Sequence, residues 1–443
     1  MAFSFNNGGM RSVYFLCLIF CVGEANFIDD LLGSLGNIKT SGSIDHQTKP
    51  RLAIEANWKW TASPAPSAPP SGLGVFDVTQ YGAKADGTSE SSKAFLEAWK
   101  AACSFPGKSW FVIPKGEFLL GEISFEGPCR NKICPSVDIK GTLKAVKDLK
   151  AYSDKSWITF RRLDGLTISG GGTLDGQGAE VWRPGGCKKD CQMLPVSLKL
   201  VSVSNAKVGQ IYLINSKAFH MHVTRCQNTQ IYDVKITAPE ESTNTDGIHI
   251  SSSTSVQVVD SFIGVGDDCV SMGDGNTNLL VSNVFCGPGH GISIGSLGKE
   301  KNEEPVTGIH VKNCTLTGTT NGIRIKTWPG SPELLASNFT FEDIVMDNAA
   351  FPIIIDQHYC PSKSCGGKPP SKVKIRDVVY KNIRGVSFSR LAVNLMCSAG
   401  SPCENIQLSD IDIAYQDPEK KTASLCNNAK VTTSGKQNPP PCT

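Results

Sequence analysis

Long apolar runs are scarce in this chain. Beyond residue 23, no stretch approaches the about 18 uninterrupted apolar residues that a membrane-spanning helix needs. Charge is scarce too: 19% of the 443 residues are Asp, Glu, Lys or Arg, and the formal net charge is +3. That balance argues against a disordered polyelectrolyte and offers no electrostatic footprint for nucleic acid. Histidine is sparse, with seven residues, and "CKKDC" (187–191) has no histidine or further cysteine cluster nearby. Zinc is therefore not expected there.

What is present is enough apolar material for a large core, with 40% hydrophobic residues and 43 glycines. The length allows two or three domains, but a repeat fold would need only one. The one apolar run, "VYFLCLIFCVG" (13–23), follows Arg11 and ends at Gly23, which with Ala25 supplies the small residues of a signal-peptidase site. Residues 1–25 are thus read as a signal peptide and the protein as secreted. Residues 26–73, ending in "TASPAPSAPPSG", form a Pro/Ser-rich propeptide or linker that cannot build a core. The folded domain is expected over 74–443.

Cysteine usage fits export. Of 17, Cys17 and Cys21 lie in the apolar run, leaving an odd fifteen. Cys187/Cys191, Cys360/Cys365 and Cys397/Cys403, with Cys426/Cys442 farther apart, read as local staples. A buried strand thiol such as Cys226 or Cys314 would be left over. "NCT" at Asn313 and "NFT" at Asn338 are glycosylation sequons; Asn313 falls in a strand-like pattern, so Asn338 is the better acceptor.

A single amphipathic helix is expected near 92–103, with Phe95, Leu96, Trp99, Ala102 and Cys103 on one face after a Thr/Ser-rich start suited to capping. The period then changes. Short alternating strands recur, registered on Met221, Ile248, Val270, Ile292, Ile323 and Ile353, at steps of 27, 22, 22, 31 and 30 residues. A second strand follows within most units. Irregular repeats of this length predict an all-β, right-handed parallel β-helix, with the helix capping one end. A two-sheet sandwich would show hairpin turns and no shared register.

Register explains a recurrence of acids. Asp246, Asp268, His290 and Asn321 each stand two residues before a registered position, with Asp267 beside them. Stacked coils lie about 4.8 Å apart, so these side chains form a column. Arg324 and Lys326 alternate outward on the strand where Ile323 and Ile325 point in. Asx ladders along turns favour identical neutral groups, whereas this column mixes acids, an imidazole and two cations. Paired carboxylates in different protonation states suit glycoside hydrolysis, and the two cations suit a substrate bearing carboxylates.

"NTD" (244–246), "GDD" (266–268), "GHG" (289–291) and "RIK" (324–326), in this order, resemble the polygalacturonases of glycoside hydrolase family 28 over roughly 74–443. "GGGTLDGQGAEVW" (170–182) and "DQHYC" (356–360) resemble plant members. The resemblance implies Asp267 as general acid and Asp246 and Asp268 as the pair holding the attacking water. His290 would tune the acid and contact sugar; Arg324, Lys326, Tyr359 and Asn244 would bind galacturonate. It also implies an inverting monomer acting on pectin in the plant cell wall, without metal or cofactor. The stretch 289–332 resembles the exopolygalacturonases typical of pollen more than fruit-type endo enzymes. Two other functions compete: a calcium-dependent pectate lyase and a non-catalytic pectin-binding wall protein. "GISIG" (291–295) matches a serine-hydrolase elbow, but Ser293 sits inside an alternating strand, where no such elbow forms.

Overall fold

A computed structural model describes residues 73–182, 194–361 and 365–442. The expected signal peptide, all but the end of the Pro/Ser-rich segment, and the Cys187/Cys191 pair lie outside them.

The chain winds into stacked coils whose strands form parallel sheets. One sheet has eleven strands in chain order: β1 (Ile123–Glu126), β2 (Ser156–Arg161), β3 (Val196–Val201), β4 (Met221–Thr224), β5 (Ile248–Ser251), β6 (Val270–Met272), β7 (Ile292–Leu297), β8 (Asn321–Thr327), β9 (Phe351–Asp356), β10 (Leu391–Met396) and β11 (Ala423–Asn427). A twenty-stranded parallel sheet supplies the rest of each coil. Met221 pairs with Ile248, Ile248 with Val270, Val270 with Ile292, Ile292 with Ile323 and Ile323 with Ile353. The register expected from the repeats is the register found.

Alternation decides what is inside. Each of those six residues is fully buried, as are Val223, Ile250, Met272, Ile294, Ile325 and Ile355 two positions on. They stack into aliphatic ladders, each side chain stabilising the coil by about 1.5–3 kcal/mol relative to exposure. Coils bend at Asx residues in left-handed conformation, which Asn and Asp tolerate best. At one bend Asn228 Nδ2 donates to Asn205 Oδ1 at 2.7 Å; at another Asn283 Nδ2 donates to Asp260 Oδ1. These are structural ladders, on bends other than the one that carries Asp246.

Helix α1 (Ser92–Ser104) covers the first coils. Phe95 meets Phe111 and Phe118, and Trp99 meets Phe111, Phe125 and Phe160. Two expectations need correction. Leu96 is 39% exposed, and Ala98 takes the buried position between Phe95 and Ala102. Ser91 makes no capping bond to the helix; Glu90 Oε1 accepts the Ser92 N–H instead.

The three local disulfides at Cys360–Cys365, Cys397–Cys403 and Cys426–Cys442 are present. Two more join residues farther apart, Cys103–Cys129 and Cys269–Cys286. Cys226 and Cys314 are free and buried, and Cys134 is also free. Asn313 does not lie within a strand: it occupies an exposed left-handed bend between strands Val306–Lys312 and Thr315–Thr317. Asn338, expected after a loop, lies instead within strand Leu334–Ala349, also exposed and left-handed, so exposure does not rank the two sequons.

Candidate active site

The turns that lead into β5, β6 and β7 carry the acids and the imidazole. They are tight because backbone passes close to backbone. A Cβ on Gly266 would fall 1.9 Å from the Ser242 carbonyl oxygen, and Gly291 adopts φ +84° against the Asn321 carbonyl. Only glycine fits either place.

Asp246, before β5, is 5% exposed. Its backbone carbonyl accepts from the His220 N–H at 2.8 Å. Its Oδ2 accepts from Ser271 Oγ at 2.6 Å. Burial, then the facing Asp267 and Asp268 charges, hold this carboxyl well above the usual range. Asp268, before β6, is equally deep and opposite in state. Its Oδ1 accepts from Ser293 Oγ and Arg324 Nη2, each at 2.8 Å, and its Oδ2 accepts from Lys326 Nζ at 2.7 Å. Burial works to raise Asp268, but Lys326 and Arg324 outweigh it and hold the carboxyl at about 2.

Asp267 is the most accessible of the three acids, its side chain 23% exposed. Its Oδ1 accepts from the Asp268 N–H at 2.8 Å and lies 2.9 Å from His290 Nδ1. Asn321 completes the column by donating to the His290 carbonyl. Arg324 and Lys326 leave β8 outward, as alternation requires, and Tyr359 lies over both: Lys326 Nζ is 5.2 Å and Arg324 Cζ 5.9 Å from its ring. Trp328 meets Tyr359 edge-on, and Lys299 caps Trp328. Asn244 lies on the turn before Asp246, half-buried and left-handed, and donates to none of the three carboxylates.

Asp267, Asp268 and His290 place ligand-type atoms within 4.8 Å of one another. A metal there would have to displace Arg324 and Lys326, which occupy both Asp268 oxygens, so the donor set does not suit a resident cation. What the arrangement offers is one deep carboxyl disposed to hold a proton, one fixed as an anion, and one exposed to a substrate.

Ser271, Ser293 and His249 escaped the reading of the sequence. Ser293 is no nucleophile: it stands in β7 and its hydroxyl donates to Asp268. The signal was register, since Ser271, Ser293 and Arg324 are successive ladder partners.

Residues 103–435 match the family model described as glycosyl hydrolases family 28. The chain belongs to this family. Among relatives of this glycoside hydrolase, a polygalacturonase of Gossypium hirsutum is 46% identical over 371 residues, covering 83% of this chain and 90% of its own. An exopolygalacturonase of Zea mays is 46% identical over 366 residues, covering 82% and 89%. Among solved structures, the exopolygalacturonase from Thermotoga maritima aligns at TM-score 0.69 with 19% identity, over 84% of this chain and 92% of that one. Endo-xylogalacturonan hydrolase from Aspergillus tubingensis aligns at 0.69 with 25% identity, over 82% and 100%. The family 28 chain thus has the right-handed parallel β-helix, all-β apart from short helices.

Proposed function

We propose that this family 28 enzyme hydrolyses the α-1,4-galacturonosyl linkages of pectin with inversion, from a chain end, releasing galacturonate. The observation that carries the proposal is the different setting of three clustered carboxyls: Asp246 buried, Asp268 clamped by two cations and Asp267 accessible. Asp267 reaches the substrate side and, with His290 against it, gives a proton to the leaving oxygen. Asp268 is held too firmly by two cations to be a good base; it fixes the water. Asp246, whose carboxyl burial makes more basic, takes that water's proton. Arg324 and Lys326 carry two positive charges against the single charge of Asp268, leaving one to attract a substrate carboxylate under Tyr359. The names of the relatives support the substrate, and several of them support the exo mode. We place the action outside the cell, in the plant wall: the N-terminal sequence reads as an export signal, and the disulfides fit an oxidising compartment.

A reducing-sugar assay on polygalacturonate tests the reading. Wild type should be active in EDTA and form no ultraviolet-absorbing unsaturated product. Asp267→Asn should lose about 10²–10⁴ in turnover while still binding oligogalacturonate. Retention of more than about a tenth of the activity would remove Asp267 as the acid. An inactive wild type that binds pectin would make this a binding protein.

A further inference from the structure

From Asp246 the hydrogen bonds continue along the outer face of the sheet. Ser271 Oγ lies 2.6 Å from Asp246 Oδ2, and His249 Nδ1 lies 2.7 Å from the same Oγ. His249 and Ser271 are ladder partners on β5 and β6, so the sheet sets their spacing. Ser271 is 2% exposed, and His249 packs under Phe219 and beside His222, with ring centroids 4.9 and 5.0 Å away. One coil further on the pattern repeats. Ser293 donates to Asp268, and Arg324 Nε donates to Ser293 at 3.0 Å.

A serine hydroxyl has one proton to give. When a second N–H donates to its oxygen, that proton can turn only toward the remaining acceptor. Arg324 Nε–H does this for Ser293; with the Ser271 proton given to the Asp246 carboxylate, the tautomer of His249 that fits the 2.7 Å contact is the one with its proton on Nδ1. We infer that Ser271 and His249 are positioning residues for the hydrolysis, holding Asp246 as a hydrogen-bond acceptor aimed at the attacking water. This rests on reading Asp246 as the base.

The two serine rows differ in charge, and the difference separates the two acids. Arg324 brings a cation to Asp268. Burial, then Lys326, pushes His249 down to about 4 against the opposing Asp268, so above that pH it is a neutral donor. The groups facing Asp246 are Asp267 and Asp268, which raise it, Ser271 and Lys326, which lower it, and His220 on its backbone carbonyl. Loss of the Ser271 bond removes an influence that lowers it. Asp246 then ionises at higher pH, and the acid limb of the rate profile moves with it.

The test is the pH dependence of kcat/KM on oligogalacturonate for wild type, Ser271→Ala, His249→Leu and His249→Asn, with Tm measured for each. In Ser271→Ala and His249→Leu the acid limb should move up by about one pH unit, with kcat reduced and KM little changed. His249→Asn, whose amide can replace Nδ1–H, should return the limb toward wild type. Acid limbs in Ser271→Ala and His249→Leu that superimpose on that of an active wild type would overturn the inference and leave the function intact. An inactive wild type would instead remove the function beneath it.

Discussion

Asp246, Asp267 and Asp268 share one side chain and have three different surroundings, so each should answer substitution differently. Asp246→Asn removes a buried ionisable group but keeps an oxygen for Ser271 Oγ–H. The folded-state pKa of Asp246 lies above its unfolded value, so its favourable contribution is complete below about 3.8 and is lost as pH rises through the folded value. Asp246→Asn should therefore be inactive yet gain Tm relative to wild type as pH is raised toward neutral, with no gain near pH 3.5. Asp268 has the opposite sign. Its depressed pKa adds stability above 3.8 that is lost as pH falls toward about 2. Asp268→Asn should accordingly be destabilised at neutral pH, by about 3–5 kcal/mol, because it strands two buried cations. Thermal and denaturant melts of the three proteins at pH 2.5, 3.5 and 7 give both signs. Lys326→Met removes the surplus positive charge, so it should cut the rate on polygalacturonate more than on methyl-esterified pectin, by roughly tenfold in the ratio. Equal losses on both would leave Lys326 with Asp268 alone as its client. The acids and cations were legible in the sequence because register stacks them. Ser271, Ser293 and His249 were not, because serine and histidine on an alternating strand look like ordinary solvent-facing residues until the hydrogen bonds are seen.

At the level of elements, the turn that carries Asp267 and Asp268 is held by its own coil. Cys269 follows Asp268 directly and is bonded to Cys286, seventeen residues on, at the end of strand Thr277–Cys286. The bridge ties the Asp267–Asp268 turn across the interior of its coil. Spacing along the chain revealed the staples at Cys360–Cys365 and Cys397–Cys403, where a short loop closes on itself. It did not reveal this one, because its partners are brought together by the winding of the coil. Helix α1 shows the same limit. Periodicity placed it correctly, yet Leu96 sits at the margin of the apolar face, and the choice between Leu96 and Ala98 is made by the aromatic floor of the first coils. Cys269→Ala with Cys286→Ala should cost about 3 kcal/mol by loop entropy alone. Because Asp268 adjoins the bridge, activity should fall at temperatures where far-ultraviolet circular dichroism still reports native strands. Coincident loss of activity and structure would mean that the bridge stabilises the coil without holding the turn.

For the whole molecule, the register of the coils defines a surface that runs along the stack, and the loops between coils decide where it stops. The two long steps in the repeat place their extra residues at 298–305 and 328–333. In the first, Glu303 accepts from the N–H groups of Gly298, Lys299 and Glu300, which fixes the loop without a strand. From there Lys299 covers Trp328, Trp328 meets Tyr359, and Tyr359 lies over Arg324 and Lys326. Loop lengths were readable in the sequence; this stack of five residues from three coils was not, since no spacing rule joins them. Such a wall beside the cations suits an enzyme that takes a polymer by its end, because a chain crossing the site in mid-length needs both directions open. Exo action makes a kinetic signature. Each cleavage removes one residue from an end and barely shortens the polymer, so reducing ends should accumulate while viscosity falls slowly. Chromatography of the first minutes of digestion should show monomeric galacturonate as the main product. An early ladder of intermediate oligomers, with viscosity collapsing before many reducing ends have formed, would show that the wall leaves the surface open and that the enzyme cuts internally.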